Sequence, residues 1–132
     1  MKTSSYKDLL VWQKGIDLVE HIYAVTGQLP VHEKYGLASQ LQRAAVSVPS
    51  NIAEGYKRNN LKEYIQFCGV AAGSLAEIET QLIIVSRIYS DVRLGNIFEE
   101  VDILQKMLYS FIKQLQSRCS EKPVRSTQYA VR

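Results

Sequence analysis

The chain is poor in the residues from which catalytic and metal centres are made. Its 132 residues include two cysteines and two histidines. Cys68 and Cys119 are 51 positions apart, which matches no zinc or redox spacing. Cys68 also falls on an apolar helical stripe, where a free thiol packs as a small hydrophobe, so no disulfide is expected. No glutamate is followed three residues later by a histidine, so the Glu-x-x-His pair of di-metal carboxylate bundles is missing. Glu77 and Glu79 are two apart and point about 200° apart on a helix, too divergent to chelate one ion together. There is no P-loop, no G-x-G-x-x-G and no G-x-S-x-G. His21 lies on a polar helix face and His32 in a turn, neither with an acidic or nucleophilic partner nearby in sequence. Both read as solvated surface groups. The expectation is a protein with no enzymatic activity, no cofactor and no metal.

Long apolar runs are missing too. The stretch MKTSSYKDLLVWQKG has no sustained apolar region of the kind a signal peptide carries. The longest uncharged run, 64–76, has 13 residues and contains Gln66, so no membrane span is expected. These absences place the chain in the cytoplasm. The net charge of +3 is too mild to imply nucleic acid by itself.

What the chain does have is helical periodicity, on a composition 46% hydrophobic and 22% charged that suits one globular domain. A first segment, from about Lys7 to Gly27, carries Leu9, Trp12, Ile16, Val19 and Tyr23 on one face. Val11, Leu18, Ile22, Val25 and Leu29 form a second row beside it. An apolar arc this wide is buried on two sides, against two helices of the same chain or against another subunit. Gly27 and Pro30 end the segment. A second segment from His32 turns Leu37, Leu41, Ala44 and Val48 inward and meets Pro49, which lacks an N–H and crowds the carbonyl of Ala45. A kink near Ser47 is expected, with Ile52 and Tyr56 continuing the inward face; a short helix restarted at Asn51, with Glu54 at capping-box spacing, is the other option. Gly55 is read as the terminator. In the third segment, Leu61 to Tyr89 keep a 3,4 alternation over four heptads, opened by Asn60 as N-cap with Glu63. Gly69, Ala72, Gly73, Ala76 and Thr80 make a small-residue stripe that lets another helix approach. A fourth segment runs from Ile97 to Leu115. The fold class is therefore all-α: an antiparallel, up-down-up-down four-helix bundle over 1–117, its second helix kinked near Pro49, with a basic tail over 118–132.

Three blocks carry a family resemblance: YKDLLVWQKG at 6–15, LASQLQRAAVSVPSNIAEGYKR at 37–58 and EYIQFCGVAAGSLAEIETQL at 63–82. They resemble the bacterial family of four-helix-bundle proteins encoded in intervening sequences of large-subunit (23S) ribosomal RNA genes. The resemblance covers about Tyr6 to Leu115. It implies a ring-forming protomer, a homopentamer, similar to the accessory protein of diversity-generating retroelements, a basic barrel that binds nucleic acid and partners a reverse transcriptase. One departure is Ala72, where family members often carry a basic residue before GSLAE.

Two sets of side chains are candidates for function. Arg43, Asn51, Glu54, Ser74 and Glu77 are the polar residues of the family-like blocks. They read as a buried network that satisfies the backbone around Pro49 and fixes subunit register, with a shared ligand site as the alternative; Pro49, Gly55 and Gly73 complete that motif. The second set is a charged pole. In an up-down bundle the N-terminus, the turn between the second and third helices and the C-terminal tail share one end. There Lys2, Lys7, Lys57, Arg58, Lys62, Arg118, Lys122, Arg125 and Arg132 face four acids, about +5 against −2 for the rest of the chain. Such a field attracts phosphate backbones without reading sequence. Lys7, Lys57, Arg58, Lys62, Arg118, Lys122 and Arg125 are the expected contacts to a structured RNA or an RNA–DNA hybrid. A protein-interaction scaffold ring with no nucleic-acid role is the alternative.

Overall fold

The chain was analysed as a computed structural model that describes residues 5–120. All regular structure in that span is helical, with four long helices and no strand among the described residues. Helix α1 is Leu10–Thr26, α2 Leu37–Tyr56, α3 Leu61–Ile88 and α4 Ile97–Ser120. Short 3-10 turns, Tyr6–Asp8 and Val31–Glu33, precede α1 and α2. They account for the later starts of both helices relative to the apolar pattern.

The helix ends follow from local chemistry. Asn60 Oδ1 accepts the Glu63 N–H at 2.8 Å, the N-cap that the sequence signals. At the start of α2 the capping residue is Gly36, which has no side chain to offer. Glu33 Oε1 does the work instead, accepting the Leu37 N–H at 3.0 Å. α4 opens with Glu99 and Glu100 and closes with Arg118, charges that suit its dipole.

One core joins the four helices through Leu18, Ile22, Leu41, Val48, Ile52, Leu75, Ile78, Leu82, Leu104, Leu108 and Leu115, all fully buried. On α1 it is the row of Val11, Leu18, Ile22 and Val25 that points into this core. The row of Trp12, Ile16 and Val19 is only half-buried, and Tyr23 is exposed. The two-sided burial expected of α1 is thus one-sided within the chain.

Adjacent helices meet in a regular order. Gly15 of α1 touches Pro49 of α2, and Gln42 of α2 donates to Thr26 Oγ1 at 3.0 Å. Along α2 and α3, Gly55 meets Tyr64 and Phe67, Ser47 meets Ser74, and Gln40 meets Gln81. Tyr64 of α3 packs on Phe111 of α4, and Gln105 of α4 reaches Glu79 of α3.

α2 continues through Pro49 to Tyr56, so Asn51 does not cap a restarted helix. Its Nδ2 donates instead to the Ser47 carbonyl at 2.7 Å and to Ser47 Oγ at 2.9 Å. Gly55 is likewise inside α2 and does not terminate it. A Cβ there would lie 2.8 Å from Phe67 Cβ and 3.2 Å from the Tyr64 carbonyl oxygen, so glycine is what lets the start of α3 close on α2. Gly69 and Gly73 play no such part within the chain: both are exposed, with no atom within 4 Å of an added Cβ.

Both cysteines are free and buried, and burial pushes the Cys68 thiol up to about 12. With a mean hydropathy of 1.4 over its best window, α3 is by length and composition apolar enough to cross a membrane, and 44% of that window is buried in the bundle. The core helix of a bundle carries the same apolarity.

Candidate nucleic-acid interface

The turn between α2 and α3 presents the basic cluster. Lys57 caps the C-terminus of α2, and Lys62 sits in the first turn of α3; both are exposed, with no ion pair among the described residues. Arg58 differs. Its Nη2 lies 3.2 Å from Glu54 Oε2, its Nε 3.9 Å from Glu63 Oε1, and its guanidinium stacks 4.8 Å over the Phe67 ring. Two carboxylates therefore offset the Arg58 charge locally, and Glu54 belongs to this surface pair rather than to a buried network.

Lys7 and Arg118 are brought to the same end by a run of aromatic rings. Trp12, Tyr6, Tyr56, Tyr64 and Phe111 contact one another edge to face in that order, with centroids 5.5 to 6.3 Å apart. The run crosses from α1 through the N-terminal 3-10 turn to α2, α3 and α4. Such pairs contribute about 0.5–1.5 kcal/mol each beyond area burial, so they hold this end of the bundle together. Tyr6 and Tyr56 are both engaged in these ring contacts. Lys7 is exposed beside Tyr6, and Arg118 lies close enough to Tyr64 to favour its ionised form. Burial, with smaller effects from Cys68 and Tyr56, still holds the Tyr64 phenol well above its usual range. Lys2, Lys122, Arg125 and Arg132 lie outside the described residues.

Of the polar residues in the family-like blocks, Asn51 and Ser74 come together. Ser47 Oγ, already accepting from Asn51, lies 2.7 Å from Ser74 Oγ, so its own proton is free for that contact between α2 and α3. Arg43 is exposed and has no ion pair among the described residues. Glu77 is exposed as well and accepts from Gln81 Nε2 at 3.3 Å. Gln81 is buried, and its Oε1 has no hydrogen-bond partner among the described residues.

Both histidines have partners that sequence proximity does not signal. His21 Nδ1 lies 2.8 Å from both carboxylate oxygens of Glu100, linking α1 to α4 across 79 positions. His32 Nε2 is 3.2 Å from the Tyr89 hydroxyl, which donates to Glu33 Oε2 at 2.5 Å. That bond and the Leu37 N–H draw the Glu33 carboxyl below its ordinary value, and the same contact raises the Tyr89 phenol. Tyr89 thus ties the end of α3 to the group that caps α2. Among the described residues no three His, Cys, Asp or Glu side chains gather to hold a metal ion.

Comparison with curated proteins finds no match for the chain. The pattern of one family, described as 23S rRNA-intervening sequence protein, matches residues 7–110 and so takes in α1, α2, α3, the α2–α3 turn and the first part of α4. The chain belongs to that family.

Proposed function

We propose that the protein is a non-enzymatic, cytoplasmic accessory protein that binds nucleic acid as a ring of identical protomers. Its target is structured RNA or an RNA–DNA hybrid, in partnership with a reverse transcriptase or with the RNA of an rRNA intervening sequence. The observation that carries this reading is the pair of exposed, unpaired lysines, Lys57 and Lys62, with Lys7 and Arg118 at the same end of the molecule. The order of interhelix contacts supports an antiparallel, up-down-up-down path, which sets the N-terminus beside the α2–α3 turn. Pro49 bends α2 in this reading and shapes the protomer for the ring. The outward α3 face of Val70, Ile83, Ile84 and Ile88 offers the apolar surface that ring contacts need. A homopentamer would repeat the basic end five times around one rim.

The test is binding of nuclease-treated protein to a structured RNA and a duplex DNA across a salt series. Each phosphate contact steepens the logarithmic salt dependence by about 0.7–0.9. Lys57→Ala with Lys62→Ala is expected to flatten that slope by about 2, and Arg58→Ala to change it little because Glu54 and Glu63 already offset it. No binding by the wild-type protein at low salt overturns the proposal. The second reading, a scaffold ring for a protein partner, rests on the same exposed apolar face. It gains if the oligomer persists and one defined protein remains bound after nuclease treatment.

A further inference from the structure

The seam between α1 and α4 is pinned at two places. Gln28 and Arg93 exchange side-chain to backbone hydrogen bonds at 2.7 and 3.0 Å, and His21 meets Glu100. Around these pins the two helices leave three hollows of about 350, 290 and 290 Å³. Two of them share His21, Asn96 and Glu100; the third opens one turn further along α4, at Met107. Their linings follow α1 from Leu10 to Val25, about 22 Å at the helical rise, and reach Gln28 in the turn beyond it.

The groove is apolar along its floor and acidic at its centre. Leu10 and Ile103, lining two of the hollows, are 56% and 48% exposed. Asp17 from α1 and Glu99 from α4 line the central hollow with Glu100 and His21, against one lysine, Lys14. Neither Asp17 nor Glu99 has an ion pair among the described residues. This acidic centre belongs to a chain of net charge +3.

We propose that this groove receives a basic amphipathic α-helix of a partner protein. Its apolar face would lie against Leu10 and Ile103, and its lysines or arginines opposite Asp17 and Glu99. Length, apolar floor and charge all favour such a helix, whereas unpaired carboxylates repel a phosphate backbone. The inference goes beyond the nucleic-acid reading and does not depend on it.

The probe is an 18-residue helical peptide of leucine and lysine with its leucines on one face, beside a second peptide carrying glutamate for every lysine. Affinity is read by fluorescence anisotropy and location by backbone amide shifts of the full chain. The lysine peptide is expected to bind with shifts concentrated along α1 and α4. Asp17→Lys with Glu99→Lys, both exposed positions, is expected to weaken it at least tenfold, and Lys57→Ala with Lys62→Ala to leave it unchanged. Equal binding of the glutamate peptide, shifts elsewhere, or unchanged affinity in the double reversal overturns the proposal. So does a change in the number of copies per particle in Ile103→Glu by light scattering, because the groove would then be an interface between copies.

Discussion

Gly15 of α1 and Pro49 of α2 lie flush against each other: a Cβ added to Gly15 would sit 3.4 Å from both Cβ and Cδ of the proline ring. The residue that breaks the α2 hydrogen-bond ladder therefore packs where α1 has no side chain. A mid-helix proline costs about 3 kcal/mol relative to alanine. Losing its buried ring atoms and its stiffening of the unfolded chain returns about 2 of that. Pro49→Ala is accordingly expected to raise stability by about 1 kcal/mol, while Gly15→Leu lowers it by about 2 or more through overpacking. Urea unfolding measures both. A Pro49→Ala variant less stable than wild type would show that ring packing outweighs the missing backbone bond.

Gly55 and Gly73 both lie inside helices, yet their surroundings predict opposite outcomes. Gly55→Ala drives a methyl into Phe67 and Tyr64, a clash expected to cost about 1–3 kcal/mol and only partly offset by about 1 kcal/mol of helix propensity. Gly73→Ala meets open space and is expected to stabilise the protomer by up to about 1 kcal/mol. Thermal melts give the signs. If Gly73→Ala reduces the number of copies per particle while stabilising the fold, the outward face of α3 is a subunit contact.

That contrast marks how much the sequence shows. The 3,4 rhythm from Leu61 to Tyr89 and the Asn60 cap are local signals, and both lead directly to α3. On α1 both candidate rows are apolar, so periodicity alone does not choose between them; only packing against α2 and α4 does. Gly55, two residues before a polar turn, carries the signature of a helix stop and serves instead as a point of close approach. The Arg58 offset was readable, since Glu54 is four residues back on the same helix. His21 with Glu100 and His32 with Tyr89 were not, because those partners are 79 and 57 positions away and meet only when the helices fold together.

The Tyr89–Glu33 contact predicts a pH dependence of defined sign. Hydrogen bonds from Tyr89 and from the Leu37 N–H hold the Glu33 carboxyl below its ordinary 4.5, so the stabilisation is present above 4.5 and is lost as pH falls through the lowered value. The Tyr89 phenol is held above its ordinary 10.0, so that contribution is present below 10.0 and is lost as pH rises past it. Tyr89→Phe removes the alkaline limb and weakens the acid one, to which the Leu37 N–H still contributes. The drop in Tm between pH 7 and pH 3 is expected to be smaller in Tyr89→Phe than in the wild type, other carboxylates contributing equally to each. Identical drops would mean that the contact does not survive in solution.

Cys68 is fully buried and its thiol is pushed up to about 12, so the nucleophilic thiolate is scarce at pH 8. Iodoacetamide is expected to leave Cys68 unmodified in the native protein and to label it readily in urea, as read by peptide mass mapping. Fast native labelling would mean that the bundle opens locally around α3.

The Ser47–Ser74 contact is one of two polar links between α2 and α3, the other joining Gln40 to Gln81. Ser47 Oγ receives Asn51 Nδ2 at 2.9 Å and meets Ser74 Oγ at 2.7 Å, and Ser74 is buried. Ser74→Ala takes away one partner and leaves the Ser47 hydroxyl short of a contact, with an expected loss of about 1–2 kcal/mol. Ser47→Ala removes the hub, leaving both Ser74 and Asn51 short of a contact, and is expected to cost more. The double variant has no stranded hydroxyl and should cost less than the two single losses together, a coupling of about 0.5–1 kcal/mol in a double-mutant cycle. Simple additivity would show that the two hydroxyls stabilise their helices separately.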